Sequence, residues 1–237
     1  MYSVQLLLVF HSPPLTFKTV GQAHFLLRRG RSCCSTRIDL WRHPLSDKKS
    51  SATDFSHARQ KYRPRKVLFL LIAESPPSSG GFFYFATTIG KDHLFRETMK
   101  ALEFWPENEP MRRGVDKRSM LRRLQSMGLY LLDTCVSPVD KLRPSERRKA
   151  VLSQAPRLID DVIKANPLHI FIVKSSIFKP VSIALREAGL LIRVLNTGPV
   201  PFPSHGNQRV YRSMLRRAMS KAHLPSSEVG SLTGHFS

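Results

Sequence analysis

The side chains best suited to chemistry lie in four short segments, each directly after an apolar run of the chain. The first segment carries one carboxylate, Glu74, just beyond the apolar residues 67–72. The last carries one imidazole, His205, in a loop that contains Pro and Gly. A carboxylate can orient water or stabilise a cation, and an imidazole can donate a proton. These two groups are therefore the first candidates for a catalytic pair.

The apolar runs before these segments predict strands, and the stretches between them predict helices. Strands are expected at 66–73, 129–135, 169–174 and 191–195, and helices at 92–104, 117–127, 145–165, 178–188 and 208–221. Near-continuous apolarity is typical of strands that are buried on both faces. Strands that alternate with helices predict one parallel sheet, and ligands bind beyond the carboxyl ends of such strands. The four polar segments are therefore expected to meet at one edge of the sheet.

Several residues mark the ends and faces of these helices. Asp92 is expected to cap the first helix, and Gly128 and Gly189 are expected to end two others. One face of the last helix is apolar and is expected to pack in the core. The opposite face is basic and is more typical of a solvated surface than of a DNA contact. The apolar face comprises Val210, Tyr211, Met214, Leu215 and Ala218, and the basic face comprises Arg209, Arg212, Arg216 and Arg217.

The four segments resemble the motifs of the uracil-DNA glycosylase superfamily in order and spacing, over residues 66–222. Ala73-Glu74-Ser75-Pro76-Pro77 is similar to a first motif of the form Gly-Gln-Asp-Pro-Tyr or Gly-Glu-Ala-Pro-Gly. Leu131-Leu132-Asp133 stands where the family has a base-reading Asn, and Ile172-Val173-Lys174-Ser175-Ser176 resembles its third block. Phe202-Pro203-Ser204-His205 resembles His-Pro-Ser-Pro with the His displaced. The departures at Ser75, Asp133 and Phe202 indicate a divergent branch.

The resemblance implies a three-layer α/β/α sandwich with a central four-stranded parallel sheet. It implies hydrolysis of the N-glycosidic bond of uracil or a related damaged base in DNA, by a monomer. Glu74 would hold water and stabilise the sugar cation, and His205 would donate to the departing base. Base contacts are expected from Ser75, Phe83, Tyr84, Asp133 and Asn207, and nucleic-acid backbone contacts from Ser79, Gly80, Lys174, Ser175, Ser204, Gln208 and Arg209.

Each of these assignments has a structural alternative. Glu74 also fits a turn cap or an ion pair with an Arg, and His205 also fits a structural hydrogen bond. Asp133 can satisfy loop amides instead of a base. The aromatic residues 82–85 also fit two core and two exposed side chains, and residues 78–81 fit a flexible connector. The functional alternatives are a catalytically silent nucleic-acid-binding module and a small-molecule hydrolase acting on nucleosides.

The charge balance favours a polyanionic partner. The chain has 38 Lys and Arg against 17 Asp and Glu, a formal +21, and residues 62–222 alone have 28 against 13, a formal +15. Attraction to phosphate is the common reason for such a balance, and DNA is the expected partner. The alternative is an organism whose proteins are Arg-rich in general. A nucleoside hydrolase would leave the charge unexplained.

The cysteines and the hydropathy narrow the class of protein. Cys33, Cys34 and Cys135 provide neither a disulfide framework nor a paired zinc site, and the iron–sulfur branch of the superfamily needs four cysteine ligands. No cofactor or metal is therefore expected. No apolar run approaches the length of a membrane span, so a soluble cytoplasmic protein in a reducing compartment is expected.

Residues 1–61 differ in character from the rest of the chain. No acidic residue precedes Asp39, while Arg and Lys are scattered among Ser, Thr and Pro. Three interpretations remain open for this segment: a disordered basic extension, an organelle transit peptide, or sequence translated upstream of the true start. The predicted organisation is an extension over 1–61, the α/β domain over 62–222 and a disordered tail over 223–237.

Overall fold

The computed structural model describes residues 51–88 and 91–223, and the expectations for residues 1–50 and 224–237 lie outside these ranges. In chain order the elements are α1 (Ala52–Lys61), β1 (Phe69–Ala73), α2 (His93–Ala101), α3 (Arg118–Ser126), β2 (Leu129–Asp133), α4 (Pro144–Ala165), β3 (His169–Ile172), α5 (Ser175–Glu187) and α6 (Gln208–Lys221). The predicted alternation of strands and helices is confirmed.

The described strands form one parallel sheet in the order β2-β1-β3. Every residue of β1 and β2 is buried, as expected for strands that are covered on both faces. Ala73 lies opposite Asp133, and Ile72 lies opposite Ile172. The strands therefore end at the same level, and the residues that follow them are brought side by side.

The prediction of a fourth strand at 191–195 was wrong. Leu191–Arg193 is a 3₁₀ turn, and only Val194 makes an isolated parallel bridge, to Ile170 of β3. The side chain of Asn196 then takes the place of a strand: its Oδ1 accepts from the Ile172 N–H at 3.0 Å, and its Nδ2 donates to the Ile172 carbonyl at 3.2 Å. Because this amide satisfies the outward-facing backbone of β3, the chain leaves the sheet after one bridge.

The domain was expected to start at Tyr62, but a helix that belongs to the fold precedes this residue. Helix α1 is opened by a capping box between Ser51 and Asp54. Phe55 of this helix is 2% exposed and meets the Phe82 ring edge-on at 4.9 Å. Placing residues 52–61 in a disordered extension was therefore an error, caused by a short helix that buries only one side chain.

Helix α2 packs against α6, and α4 packs against α5. Two arginines of α6 that were expected to face solvent, Arg212 and Arg216, lie at the interface with α2. Arg212 is buried and binds Glu97 and Glu107, and Arg216 reaches Glu107 at 3.0 Å. Val210, expected in the core, is 49% exposed. The helix is thus rotated relative to the prediction, because ion pairs to α2 favour burial of part of its basic face.

Within the described ranges, no helix is both long and apolar enough to cross a membrane.

Candidate functional site

A cavity of about 540 Å³ lies at the carboxyl ends of the three strands. Eight of the residues predicted for the site line it: Glu74, Ser75, Ser79, Phe83, Asp133, Lys174, Ser204 and His205. They come from the segments after β1 and β3, from the end of β2 and from the loop before α6. The level strand ends explain why segments far apart in sequence meet here.

Glu74 sits at the centre of a group of donors. The carboxylate is 5% exposed, and its Oε2 accepts from Arg147 Nε at 2.8 Å and also contacts Lys174 Nζ. Its Oε1 accepts from the Ser176 hydroxyl at 3.1 Å. Both cations come from the residues that open a helix, Arg147 in the first turn of α4 and Lys174 immediately before α5. The carboxylate is therefore ion-paired and held in a fixed position.

Lys174 has an unusual backbone conformation. Its φ is +89° and its ψ is 119°, a region that L-residues other than glycine rarely adopt. Its N–H donates to the Val200 carbonyl at 3.0 Å, which anchors the strained residue. Burial lowers the pKa of the Lys174 ammonium, while the hydrogen bond to Glu74 opposes that shift. Strained residues of this kind cluster at functional sites.

Asp133, the expected base reader, lines the cavity but is already paired. Its Oδ2 accepts from Arg59 of α1 at 2.6 Å, and both side chains are largely buried. Burial raises the pKa of the Asp133 carboxyl, and Arg59 opposes this. The structural role expected for Asp133 was hydrogen bonding to loop amides, whereas the structure shows an ion pair with α1, a helix outside the predicted domain.

A second buried ion pair joins Asp92, which lines the cavity, to Lys117 behind the cavity wall. Lys117 is fully buried, and its Nζ donates to Asp92 Oδ2 at 2.6 Å and to the Phe82 carbonyl at 2.8 Å. The ammonium also lies 4.2 Å from the centre of the Phe95 ring. Burial lowers the pKa of Lys117 and raises the pKa of Asp92. Asp92 does precede α2 as predicted, but its carboxylate binds Lys117.

Two histidines stand at the cavity. His205 is exposed, adopts a left-handed φ of +51°, and its Nδ1 lies 2.9 Å from the Ser204 hydroxyl. His93 opens α2 and also lines the cavity. Burial, the Arg96 charge and the nearby His205 lower the pKa of His93, while Glu97 opposes them, and the lowered pKa favours the neutral imidazole. The site therefore holds a proton donor or acceptor that the sequence analysis did not single out.

Hydrogen bonds between loops shape the rim. The Ser78 hydroxyl donates to Asp140 Oδ2 at 2.7 Å, and the Val139 N–H lies 3.4 Å from the Ser75 hydroxyl oxygen. These contacts join the segment after β1 to the segment after β2. They show that residues 78–81 are tethered at Ser78, and that Ser75 has a partner across the loops.

The aromatic residues after β1 do not divide into two buried and two exposed side chains. Phe82, Phe83 and Tyr84 are each at most 4% exposed, and Phe85 is half-buried on Phe55. Phe82 and Phe83 line the cavity, whereas Tyr84 serves the outer edge of β2. Its hydroxyl accepts from the Leu131 N–H at 2.6 Å and donates to the Leu131 carbonyl at 3.3 Å. Tyr84 is thus placed for a structural role and not for the expected base contact.

Five further predicted residues do not line the cavity. Gly80 has a φ of +80° in the tethered turn, and Ser175 is the first residue of α5. The other three, Asn207, Gln208 and Arg209, form the start of α6 beyond the cavity-lining His205. They surround the site without belonging to its wall.

Three side chains at the site, those of Arg147, Ser176 and His93, were not predicted from the sequence. Each lies in the first turn of a helix, where only the convergence of helix starts at the strand ends brings it to the cavity. One usable signal was present: a helix that follows a parallel strand begins at the ligand-binding edge, so polar residues in its first turn are candidates. Among the described residues, no group of His, Cys, Asp and Glu is arranged to hold a metal ion.

Comparison of the chain with protein-family models, with curated proteins and with solved structures found no match.

Proposed function

We propose that the protein hydrolyses the N-glycosidic bond of uracil or a related damaged base in DNA. The observation that carries this proposal is that Glu74 and His205, 131 residues apart in the chain, line one cavity together with Phe83 and Phe202. A carboxylate, an imidazole and aromatic side chains are the groups that such a reaction needs. The strand order β2-β1-β3 and the cover on both faces are compatible with the three-layer α/β/α arrangement that the proposal assumes.

The proposed reaction begins with a base turned out of the helix into the cavity. Phe83 would contribute an apolar wall for the base, and stacking on an aromatic side chain is worth about 1–3 kcal/mol per base. Glu74 would hold the attacking water and stabilise the cationic sugar. His205, in the exposed loop before α6, would donate to the departing base. Arg147 and Ser176 would fix the direction of the carboxylate.

The test is strand cleavage at abasic sites. Purified protein is incubated with single- and double-stranded oligonucleotides that carry one uracil, hypoxanthine or xanthine, and alkali then cuts any abasic site. Glu74→Gln is expected to lower the rate by about 10²–10⁴-fold, because the amide cannot act as base or anion. Glu187→Gln, the same change at an exposed position of α5, is the control and is expected to retain the rate.

Thermal unfolding of both variants separates a catalytic loss from a folding loss, since Glu74 is buried in an ion-pair group. A wild-type protein that yields no abasic product from any of the three bases would overturn the proposal.

A catalytically silent nucleic-acid-binding module is the second candidate. It is favoured by the partners of Glu74, whose two oxygens already accept hydrogen bonds from three side chains and leave an acceptor position only on Oε1. For a module of this kind we expect salt-dependent oligonucleotide binding without any product, and equal binding by wild type and Glu74→Gln.

A further inference from the structure

Lys174 is a partly buried lysine whose amine faces the cavity next to a carboxylate. Its side chain is 24% exposed, its Nζ contacts Glu74, and it lies 5.9 Å from the centre of the Phe202 ring. A lysine in ordinary solvent is protonated and does not attack carbonyl groups. Removal from water favours the neutral amine, which is a good nucleophile toward aldehydes.

The neighbours of Lys174 make loss of its proton tolerable. Glu74 is also bound by Arg147, so the carboxylate keeps a cationic partner when the lysine becomes neutral. Burial lowers the pKa of Lys174, and the positive charge of Arg147 beside it lowers this pKa as well. Glu74 and Asp140 oppose the shift. Arg147 and Ser176 donate to the Glu74 carboxylate by themselves, so the carboxylate does not require the Lys174 ammonium as a partner.

We propose that Lys174 is a nucleophile that forms an imine with the ring-opened aldehyde of an abasic deoxyribose, giving the site an abasic-site lyase activity. The strained backbone of Lys174, fixed between β3 and α5, supports this assignment because it aims a long side chain at the cavity from the strand end. The inference extends the proposed function, whose product is an abasic site.

The chemical steps balance within the groups present. The Lys174 ammonium gives a proton to Glu74, and the amine nitrogen attacks C1′ of the aldehyde to form a carbinolamine. Glu74 returns the proton to the carbinolamine hydroxyl, which leaves as water, and the C=N bond forms. The carboxylate then removes a proton from C2′, and the C3′–O bond breaks with its electron pair leaving on the phosphate oxygen. Water finally hydrolyses the protonated imine to the unsaturated aldehyde and the Lys174 ammonium, and Glu74 releases the C2′ proton to solvent.

Borohydride trapping tests the inference without relying on base excision. The full-length protein is mixed with an oligonucleotide that carries one preformed abasic site, and sodium borohydride reduces any imine to a stable secondary amine. We expect a covalent protein–DNA adduct whose cross-linked peptide contains Lys174. Lys174→Arg keeps a cation beside Glu74 but cannot form the imine, so its adduct should fall by at least about tenfold. Lys179→Arg, the same change at an exposed position of α5, is the matched control and should give the wild-type yield.

The outcomes separate the two proposals. An adduct with the preformed site but no base excision would leave this inference standing and overturn the proposed function. Base excision without an adduct, although the abasic oligonucleotide binds, would overturn this inference alone. An adduct that maps to another lysine, or that persists undiminished in Lys174→Arg, would also overturn it.

Discussion

The ammonium of Lys117 is completely enclosed, and its partner Asp92 forms part of the cavity wall. Two buried charges of opposite sign hold each other in place, but neither tolerates loss of the other, because one uncompensated charge would remain away from water. This pair also fixes the Phe82 carbonyl. The shape of the aromatic side of the cavity therefore depends on a lysine that does not itself line the cavity.

Asp92→Asn is expected to destabilise the protein by about 3–5 kcal/mol, since it leaves the Lys117 charge buried without a counter-ion. Urea unfolding followed by circular dichroism measures the change. Asp116→Asn is the control: its pair with Arg118 spans 3.6 Å with both side chains 59% exposed, and its removal should change stability by at most about 1 kcal/mol. If both substitutions lowered the free energy of unfolding equally, the loss of a buried counter-ion would cost no more than the loss of an exposed one.

Placement at the cavity could be predicted from sequence where a residue lies at or just beyond the end of a buried strand. Glu74, Asp133 and Lys174 line the cavity as this predicts, because the end of an apolar run marks where a strand ends. The partners of these residues were not found. Arg147 and Arg59 approach Glu74 and Asp133 from helices far away in the chain, and a single sequence carries no record of such distances.

At the scale of elements, the strand ends and the glycines that close helices were predicted well. Gly128, expected to end the helix before β2, has a φ of +74° between α3 and β2. The tertiary ion pairs that rotate α6 and the side chain that replaces a fourth strand could not be predicted. Both depend on the partner groups Glu97 and Ile172, which local periodicity does not identify.

Comparing Gly128→Ala with Gly114→Ala should separate two reasons why a position requires glycine: a left-handed backbone and a lack of space for a Cβ atom. A Cβ at this position would lie 2.7 Å from Leu68 Cγ and 2.9 Å from the Lys66 carbonyl oxygen. Gly114 shares the left-handed backbone, with a φ of +86°, but a Cβ there would meet nothing within 4 Å. Gly114→Ala is expected to cost about 1–2 kcal/mol for the backbone alone.

Gly128→Ala is expected to cost about 1–3 kcal/mol more than Gly114→Ala, because the methyl group also displaces packed atoms. Chemical denaturation of the two variants measures the difference. A Gly128→Ala variant no less stable than Gly114→Ala would mean that the start of β1 moves freely away from α3.

At the scale of the whole molecule, the excess of basic residues persists in the folded part. Some of this charge is used internally, as in Arg212, Arg59 and Lys117. Others, such as Arg147 and Lys174, are paired at the cavity. The proposed attraction to phosphate would come from the basic side chains that remain unpaired at the surface, and not from any one loop. The sequence predicted the sign of this surface but not how much of it is consumed by internal ion pairs.

Binding of a single-stranded 20-mer is expected to weaken steeply with salt. If at least three phosphates of the single strand are neutralised, affinity should fall by at least about 20-fold between 50 and 200 mM monovalent salt. Fluorescence anisotropy across this range measures the slope. An oligonucleotide of the same sequence with an uncharged methylphosphonate backbone should bind weakly and without this dependence. If binding of the unmodified oligonucleotide did not change with salt, the excess of basic residues would instead reflect an organism whose proteins are Arg-rich in general.

The two outer strands of the sheet have side chains where another strand would attach. Tyr84 occupies the outward backbone groups of Leu131 in β2, and Asn196 occupies those of Ile172 in β3. Burial raises the pKa of the Tyr84 hydroxyl, so the hydroxyl stays protonated and keeps its bond to the strand. Open sheet edges recruit strands from other molecules and lead to aggregation. By occupying the middle of the β2 edge and the carboxyl end of the β3 edge, these two side chains protect a short, very apolar sheet from joining other molecules in a crowded solution.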